Sequence, residues 1–183
     1  MMQTEQQIIA QCQKGDKAAF RWVVQNYQRM VFSLALKMTA DEEDAKDVVQ
    51  ETFIKAWLGI GGYDTQRPFA TWLYTIASRL CLDRLKSATA ISPMPHDEQA
   101  LHRFAAGDDS QRALENREWV SIVRMLAEGL SSRQRLVFTI CQLEGMTSAE
   151  AEQITGMDAQ QVKSNLYVAR QTIRKRLKEL GYE

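Results

Sequence analysis

Proline is scarce. The 183 residues include three, and two of these, Pro93 and Pro95, stand close together. A proline inside a helix removes a backbone hydrogen bond and clashes with the preceding turn, so nearly all of this chain is free to be helical. Cysteine is equally rare: Cys12, Cys81 and Cys141 lie far apart and form no Cys-x-x-Cys. That spacing argues against a disulfide framework or a zinc knuckle and for reduced thiols in a cytoplasmic protein. The two histidines, His96 and His102, belong to no Glu-x-x-His motif. A carboxylate metal site is therefore weakly supported, and neither metal nor cofactor is expected. No apolar run is long enough to span a bilayer, since even VFSLALKM is cut short by Lys37. The opening MMQTEQQIIAQCQKGD lacks the basic and apolar segments of a signal peptide. The expected localisation is cytoplasmic, with no direct membrane insertion. Net charge is absent too, with 23 basic against 23 acidic residues, so any attraction to nucleic acid must come from local segregation of charge. No nucleophile–base constellation or Gly-rich phosphate loop is present, and the chain does not read as an enzyme.

Helix signals recur along the chain. Thr4 with Gln7, Ser131 with Gln134 and Thr147 with Glu150 each fit the S/T-x-x-E/Q capping box. Asp16, Asp41 and Asp158 are further candidate N-caps. Between Asp41 and Trp57 the apolar residues Ala45, Val48, Val49, Phe53, Ala56 and Trp57 fall on one helical face. Gly59, Gly61 and Gly62 end that helix, and a loop, YDTQRP, leads to a second helix from Phe69 with the stripe Phe69, Trp72, Leu73, Ile76 and Leu80. Periodicity fades between Ala88 and Asp109, around Pro93, Pro95 and Gly107, and resumes near Gln111. Strand alternation and internal repeats are missing. The expected fold class is all-α: two small helical domains, 1–88 and 112–183, joined by a flexible linker over 89–111.

The stretch TSAEAEQITGMDAQQVKSNLYVARQTIRKRL carries a helix-turn-helix pattern. A short helix behind Thr147 reaches about Thr155, Gly156 supplies the turn, and a longer helix starts behind Asp158. The longer helix has Val162, Leu166, Ala169, Ile173 and Leu177 on one face. Its other side presents Gln160, Gln161, Lys163, Ser164, Asn165, Tyr167 and Arg170, side-chain types that read major-groove base edges or hold phosphates. Arg174, Lys175, Arg176 and Lys178 add a basic end suited to phosphates. An amphipathic helix with a solvated basic face has the same pattern.

In the first half, DEEDAKDVVQETFIKAW sets Asp44, Asp47, Gln50 and Glu51 on the outer face of its helix. Acids in a first turn complement the helix dipole, which accounts for Asp41 to Asp44 but not for Asp47 and Glu51. A docking surface for a basic partner accounts for all of them. This run, followed by RPFATWLYTIASRLCLDRLK and then VKSNLYVARQTIRKRL, resembles bacterial RNA polymerase sigma factors of the extracytoplasmic-function (ECF) group, in order and over nearly the whole chain. The resemblance implies a region two and a region four, and several roles. Asp44, Asp47, Gln50, Glu51 and Phe53 match the part that docks on the β′ clamp helices of core RNA polymerase. The loop Tyr63–Pro68, including Arg67, matches the loop that takes a flipped-out base. Tyr74, Thr75, Ser78, Arg79 and Lys86 match the face that meets promoter −10 DNA. Tyr74 reads equally as surface packing, and Trp72 as core. Gln160, Gln161, Lys163, Ser164, Asn165, Tyr167 and Arg170 match the −35 reader, with the apolar face of region four on the β flap. The linker acids Asp97, Glu98, Asp108 and Asp109 match a tether leading towards the RNA exit path, though a plain polar linker explains them as well. An anti-sigma factor is an expected partner.

Two positions depart from the family pattern. Arg79 stands where the family usually has Asn, and Glu150-Ala151-Glu152 replaces the usual Glu-Ile-Ala of the first helix of the motif. Two other readings stay in play: a free-standing, dimeric helix-turn-helix regulator and, kept open by these changes, a sigma-like adaptor that binds proteins but not DNA. The acidic Asp47/Glu51 face and the Tyr63–Lys86 block argue against the first.

Overall fold

The computed structural model describes residues 4–90, 124–125, 129–179 and 181. Most of the expected linker, with Pro93, Pro95, His96, Asp97, Glu98, His102, Asp108 and Asp109, lies outside the described residues. Every described regular element is helical: α1 (Glu5–Gln13), α2 (Lys17–Thr39), α3 (Glu42–Gly59), a 3-10 turn (Ile60–Gly62), α4 (Phe69–Ala90), α5 (Ser132–Phe138), a π-helical turn (Thr139–Leu143), α6 (Ser148–Thr155) and α7 (Ala159–Glu179). The helix α4 runs to Ala90, two residues into the segment read as linker.

The helices begin where side chains can satisfy their first free N–H groups. Thr4, Ser131 and Thr147 each close a complete capping box, with Gln7, Gln134 and Glu150. Asp16 accepts from the amides of Ala18 and Ala19, Asp41 from Asp44, and Asp158 from Gln161. The first helix of the helix-turn-helix stops at Gly156, whose φ of 71° is the left-handed conformation that closes a helix. At the end of α2 the same conformation falls on an alanine, Ala40, with φ 52°.

The helices α2, α3 and α4 pack on one another, and α1 lies against α2 and the 3-10 turn. Val23, Val31, Leu34, Met38, Val48, Leu73 and Ala77 are fully buried in this bundle; each large one contributes roughly 1.5–3 kcal/mol by leaving water. Gln13 donates its amide to the carbonyls of Ile60 (3.2 Å) and Tyr63 (3.0 Å), which fixes the start of the following loop. In the second half α7 packs on α5 and α6 around Leu136, Val137, Ile140, Ile154 and Val162. The two halves also meet: α4 packs against α5 and α6, and α2 against the π-helical turn, so one apolar cluster runs through both.

Candidate polymerase and promoter interfaces

The helix α3 divides by face. Ala45, Val48, Phe53 and Ala56 are buried, while Asp47 and Gln50 are exposed and Asp44 and Glu51 half-exposed. Phe53 is not at the surface. It packs edge-on against Phe20, ring centroids 6.4 Å apart, and supports the acidic edge from beneath. That edge is partly engaged within the protein. Arg84 of α4 donates to Asp44 at 2.8 Å and to Asp47 at 3.2 Å. Partial burial opposes the Arg84 charge, but the two carboxylates outweigh it and raise its pKa. Glu51 faces Lys55 at 3.5 Å, one turn along the same helix. Beside these acids stand two bare apolar side chains, Ile54 and Leu58, the latter 78% exposed.

The residues matched to −10 contact divide into two groups. Arg67, Arg79 and Lys86 are exposed, and Thr75 is half-exposed, its hydroxyl donating to the Thr71 carbonyl. Tyr63, Tyr74 and Ser78 are buried. The Tyr63 ring packs edge-on against Phe69 and at a tilt against Trp72, and its hydroxyl donates to the Arg67 carbonyl. The apolar need of that ring is therefore met by the start of α4, and in this arrangement Tyr63 offers no face for stacking. Tyr74 donates its hydroxyl to Glu144 at 2.9 Å, from α4 across to the second half of the chain. Burial, and then the Glu144 carboxylate, raise its pKa. The Ser78 hydroxyl is enclosed without a hydrogen-bond partner among the described residues.

In the helix-turn-helix, Val162, Ala169 and Ile173 of α7 are buried and Leu166 is partly buried. Gln160, Gln161, Lys163, Ser164, Tyr167 and Arg170 are exposed, and Asn165 is half-exposed. Some of these have local work. Gln161 caps α7 jointly with Asp158, Asn165 donates to the Gln161 carbonyl, and Arg170 donates to Gln142 at 3.3 Å. Lys163, Ser164 and Tyr167 project from one exposed side, with Tyr167 63% exposed. The departures in α6 resolve simply: Ala151 is the residue buried, and Glu152 keeps access to water, so no carboxylate is forced into the core.

Comparison with known proteins matches residues 23–91 to Sigma-70 region 2 and residues 121–173 to Sigma-70, region 4. The ECF RNA polymerase sigma-E factor of Escherichia coli (strain K12) is 30% identical over 185 residues, covering 97% of this chain and 96% of that protein. The chain belongs to the ECF group of RNA polymerase sigma factors. As an ECF sigma factor it binds core RNA polymerase and directs promoter-specific transcription initiation. The ECF sigma factor SigW of Bacillus subtilis (strain 168) is 27% identical over 179 residues, 94% of this chain and 96% of SigW. In fold, this sigma factor is similar to CnrH, solved in complex with the cytosolic domain of CnrY. The TM-score is 0.71 at 23% identity, over 94% of this chain and 96% of that one. It is also similar to the sigma factor RpoE of Bartonella quintana, solved with the anti-sigma factor NepR, with a TM-score of 0.64 at 19% identity over 87% of this chain and 96% of that one.

Two features of the sigma factor were not legible beforehand. Arg84 had no assigned role, although a basic residue on the helix facing an acidic stripe is a usable signal. Glu144, which gathers Tyr74, Lys37 and Ser33, gave no sequence signal at all. Burial pushes the Cys81 thiol up to about 12 and raises those of Cys12 and Cys141, which disfavours their thiolate forms. Among the described residues no cluster of His, Cys, Asp or Glu could hold a metal, and no helix is long and apolar enough to cross a membrane.

Proposed function

We propose that Asp44, Asp47, Gln50 and Glu51, with Phe53 beneath them, dock this sigma factor on the β′ clamp helices. The loop Tyr63–Pro68 with Arg67, and the α4 residues Tyr74, Thr75, Ser78, Arg79 and Lys86, capture the melted −10 strand. Gln160, Gln161, Lys163, Ser164, Asn165, Tyr167 and Arg170 read the −35 duplex while the apolar side of region four holds the β flap. The observation that carries this reading is the acidic edge of α3, exposed opposite a fully buried stripe and placed beside the bare Leu58. Its chemistry suits a basic, partly apolar helical partner. The mechanism is binding rather than covalent catalysis: capture of unstacked bases offsets the cost of melting.

The reading divides the chain into region two at 1–88, a linker at 89–111 and region four at 112–183. It places the protein in the cytoplasm, where polymerase is, and gives it an anti-sigma factor as a regulator. That last expectation is supported by the sigma factor RpoE of Bartonella quintana, which was solved with the anti-sigma factor NepR. The deciding experiment is run-off transcription with purified bacterial core polymerase on a pool of random promoters. Enrichment of a −35/−10 pair supports the reading. Core binding without promoter selection would leave a protein-binding adaptor.

A further inference from the structure

The loop matched to base capture is held by a side chain from the far end of region two. Gln13 is the last residue of α1. The buried Ile8, Ile9 and Cys12 fix that helix on the bundle, and Gly15, with φ 88°, turns the chain into Asp16, the N-cap of α2. A positive φ costs glycine little, so α1 stops abruptly with its last side chain beside the 3-10 turn. The Gln13 amide nitrogen carries two N–H donors. It donates at 3.2 Å to the Ile60 carbonyl and at 3.0 Å to the Tyr63 carbonyl, 47 and 50 positions away. The Ile60 carbonyl also receives the Tyr63 amide at 3.1 Å, which closes the turn. Past this brace the loop is tied to itself. Asp64 accepts the Gln66 amide on its side chain at 3.0 Å and the Arg67 amide on its carbonyl at 3.1 Å, and the Tyr63 hydroxyl donates to the Arg67 carbonyl. Residues 64–68 are left exposed on a frame fixed from behind.

Gln13 lies outside residues 23–91, the part matched to Sigma-70 region 2. Flipping a base out of its stack costs free energy, and contacts already in place offset it best. A loop that orders only as the base arrives loses part of that gain. We propose that Gln13 is a positioning residue for promoter selection: it holds the loop Tyr63–Pro68 in the shape that discriminates the captured base, without touching DNA itself. The proposal deepens the −10 assignment above and rests on it. Its effect is local, because the acidic edge of α3 and the exposed side of α7 lie on other elements. Core docking and −35 reading are therefore independent of Gln13.

The test uses holoenzyme assembled from purified bacterial core polymerase and the full chain. The template is a promoter pool randomised over the −10 region behind the −35 element that the wild type selects. Gln13→Met keeps a side chain of similar length and removes both donors. Discrimination at one or two neighbouring −10 positions should fall roughly tenfold, the size of one or two net hydrogen bonds. Core affinity, −35 preference and helical circular dichroism should stay as in the wild type. Gln13→Lys keeps N–H donors at nearly the same reach and should retain wild-type discrimination. Hydrogen exchange over residues 60–68, measured on the chain without polymerase, should quicken in Gln13→Met and not in Gln13→Lys. Should Gln13→Met lose helix, Gln13→Glu, of the same shape without a donor, decides. Unchanged −10 discrimination or unchanged loop exchange in the folded variant overturns the proposal. So does a loss shared equally with −35 preference and core affinity, or a Gln13→Lys variant as relaxed as Gln13→Met. A wild type that selects no −10 base fails differently: it strikes the −10 assignment itself, and this proposal with it.

Discussion

Arg84 Nη1 lies 2.8 Å from Asp44 Oδ1, a contact that ties α4 to the acidic edge of α3. The second arm of the same guanidinium reaches Asp47 at 3.2 Å. All three side chains retain contact with water, so the fork adds at most about 1 kcal/mol to stability. Its larger consequence is positional, since it holds two carboxylates one turn apart and pointing outward.

Reversing Asp47 and Glu51 together to Lys should lower affinity for core polymerase at least about tenfold at low salt. The gap should shrink as salt rises, because the charges are exposed and screened. The melting temperature should change little, as expected for surface charges. Competition for core polymerase against a labelled sigma factor measures this; equal affinity at low salt would remove these residues from the docking surface.

On α7, Lys163→Ala and Arg170→Ala should fail differently. Lys163 is exposed near the N-terminal end of the helix that enters the groove. Its loss should relax preference at one −35 position by about 1–3 kcal/mol. Arg170, further along and hydrogen-bonded to Gln142, should weaken all sequences alike and flatten the salt slope by about one unit. Titrating polymerase complexes of each variant against −35 mutants at several salt concentrations separates the two outcomes. If Lys163→Ala binds every site as the wild type does, α7 does not read bases through this residue.

Ile154 is 2% exposed in the core of the helix-turn-helix. Ile154→Ala should cost about 2–4 kcal/mol through lost burial and the cavity left behind. Chemical denaturation would show it as a lower midpoint at an unchanged slope. A change under about 0.5 kcal/mol, typical of surface substitutions, would contradict the packing of α6 on α7.

Glu150 accepts from both the backbone amide and the hydroxyl of Thr147, and these bonds hold its carboxyl below its ordinary value of 4.5. A depressed folded-state pKa contributes stability above the unfolded value, and this is lost as pH falls through the folded one. The wild type should therefore be more stable than Glu150→Gln at neutral pH, with the difference shrinking below about pH 4.5. Paired thermal melts at neutral and acid pH test the sign; a difference that widens in acid would refute it.

Much of this was legible in the sequence. The capping residues Thr4, Asp16, Asp41, Ser131, Thr147 and Asp158 all cap as expected, because a cap acts on amides two or three residues away. The stripes Ala45–Val48–Phe53–Ala56 and Val162–Ala169–Ile173 are buried as expected, because a helix repeats every 3.6 residues whatever it packs against. Ala40 was missed because the left-handed C-cap usually falls on glycine, and here an alanine takes that backbone conformation.

The sequence by itself therefore determined where the helices begin, which side of each is apolar, and the order of motifs that marks an ECF sigma factor. Which exposed-looking residues are free to act was decided only by the tertiary structure. Tyr74 lies on the same helix as the exposed Arg79, yet it is buried in the shared apolar cluster, and Glu144, 70 positions away, receives its hydroxyl. Lys37, which interrupts an apolar run and looks like a surface charge, is paired with that carboxylate across 107 positions. Helical periodicity and capping are local, acting within a turn or two. Pairing between distant charges depends on how two separately patterned bundles come to rest against each other, and no local pattern encodes that.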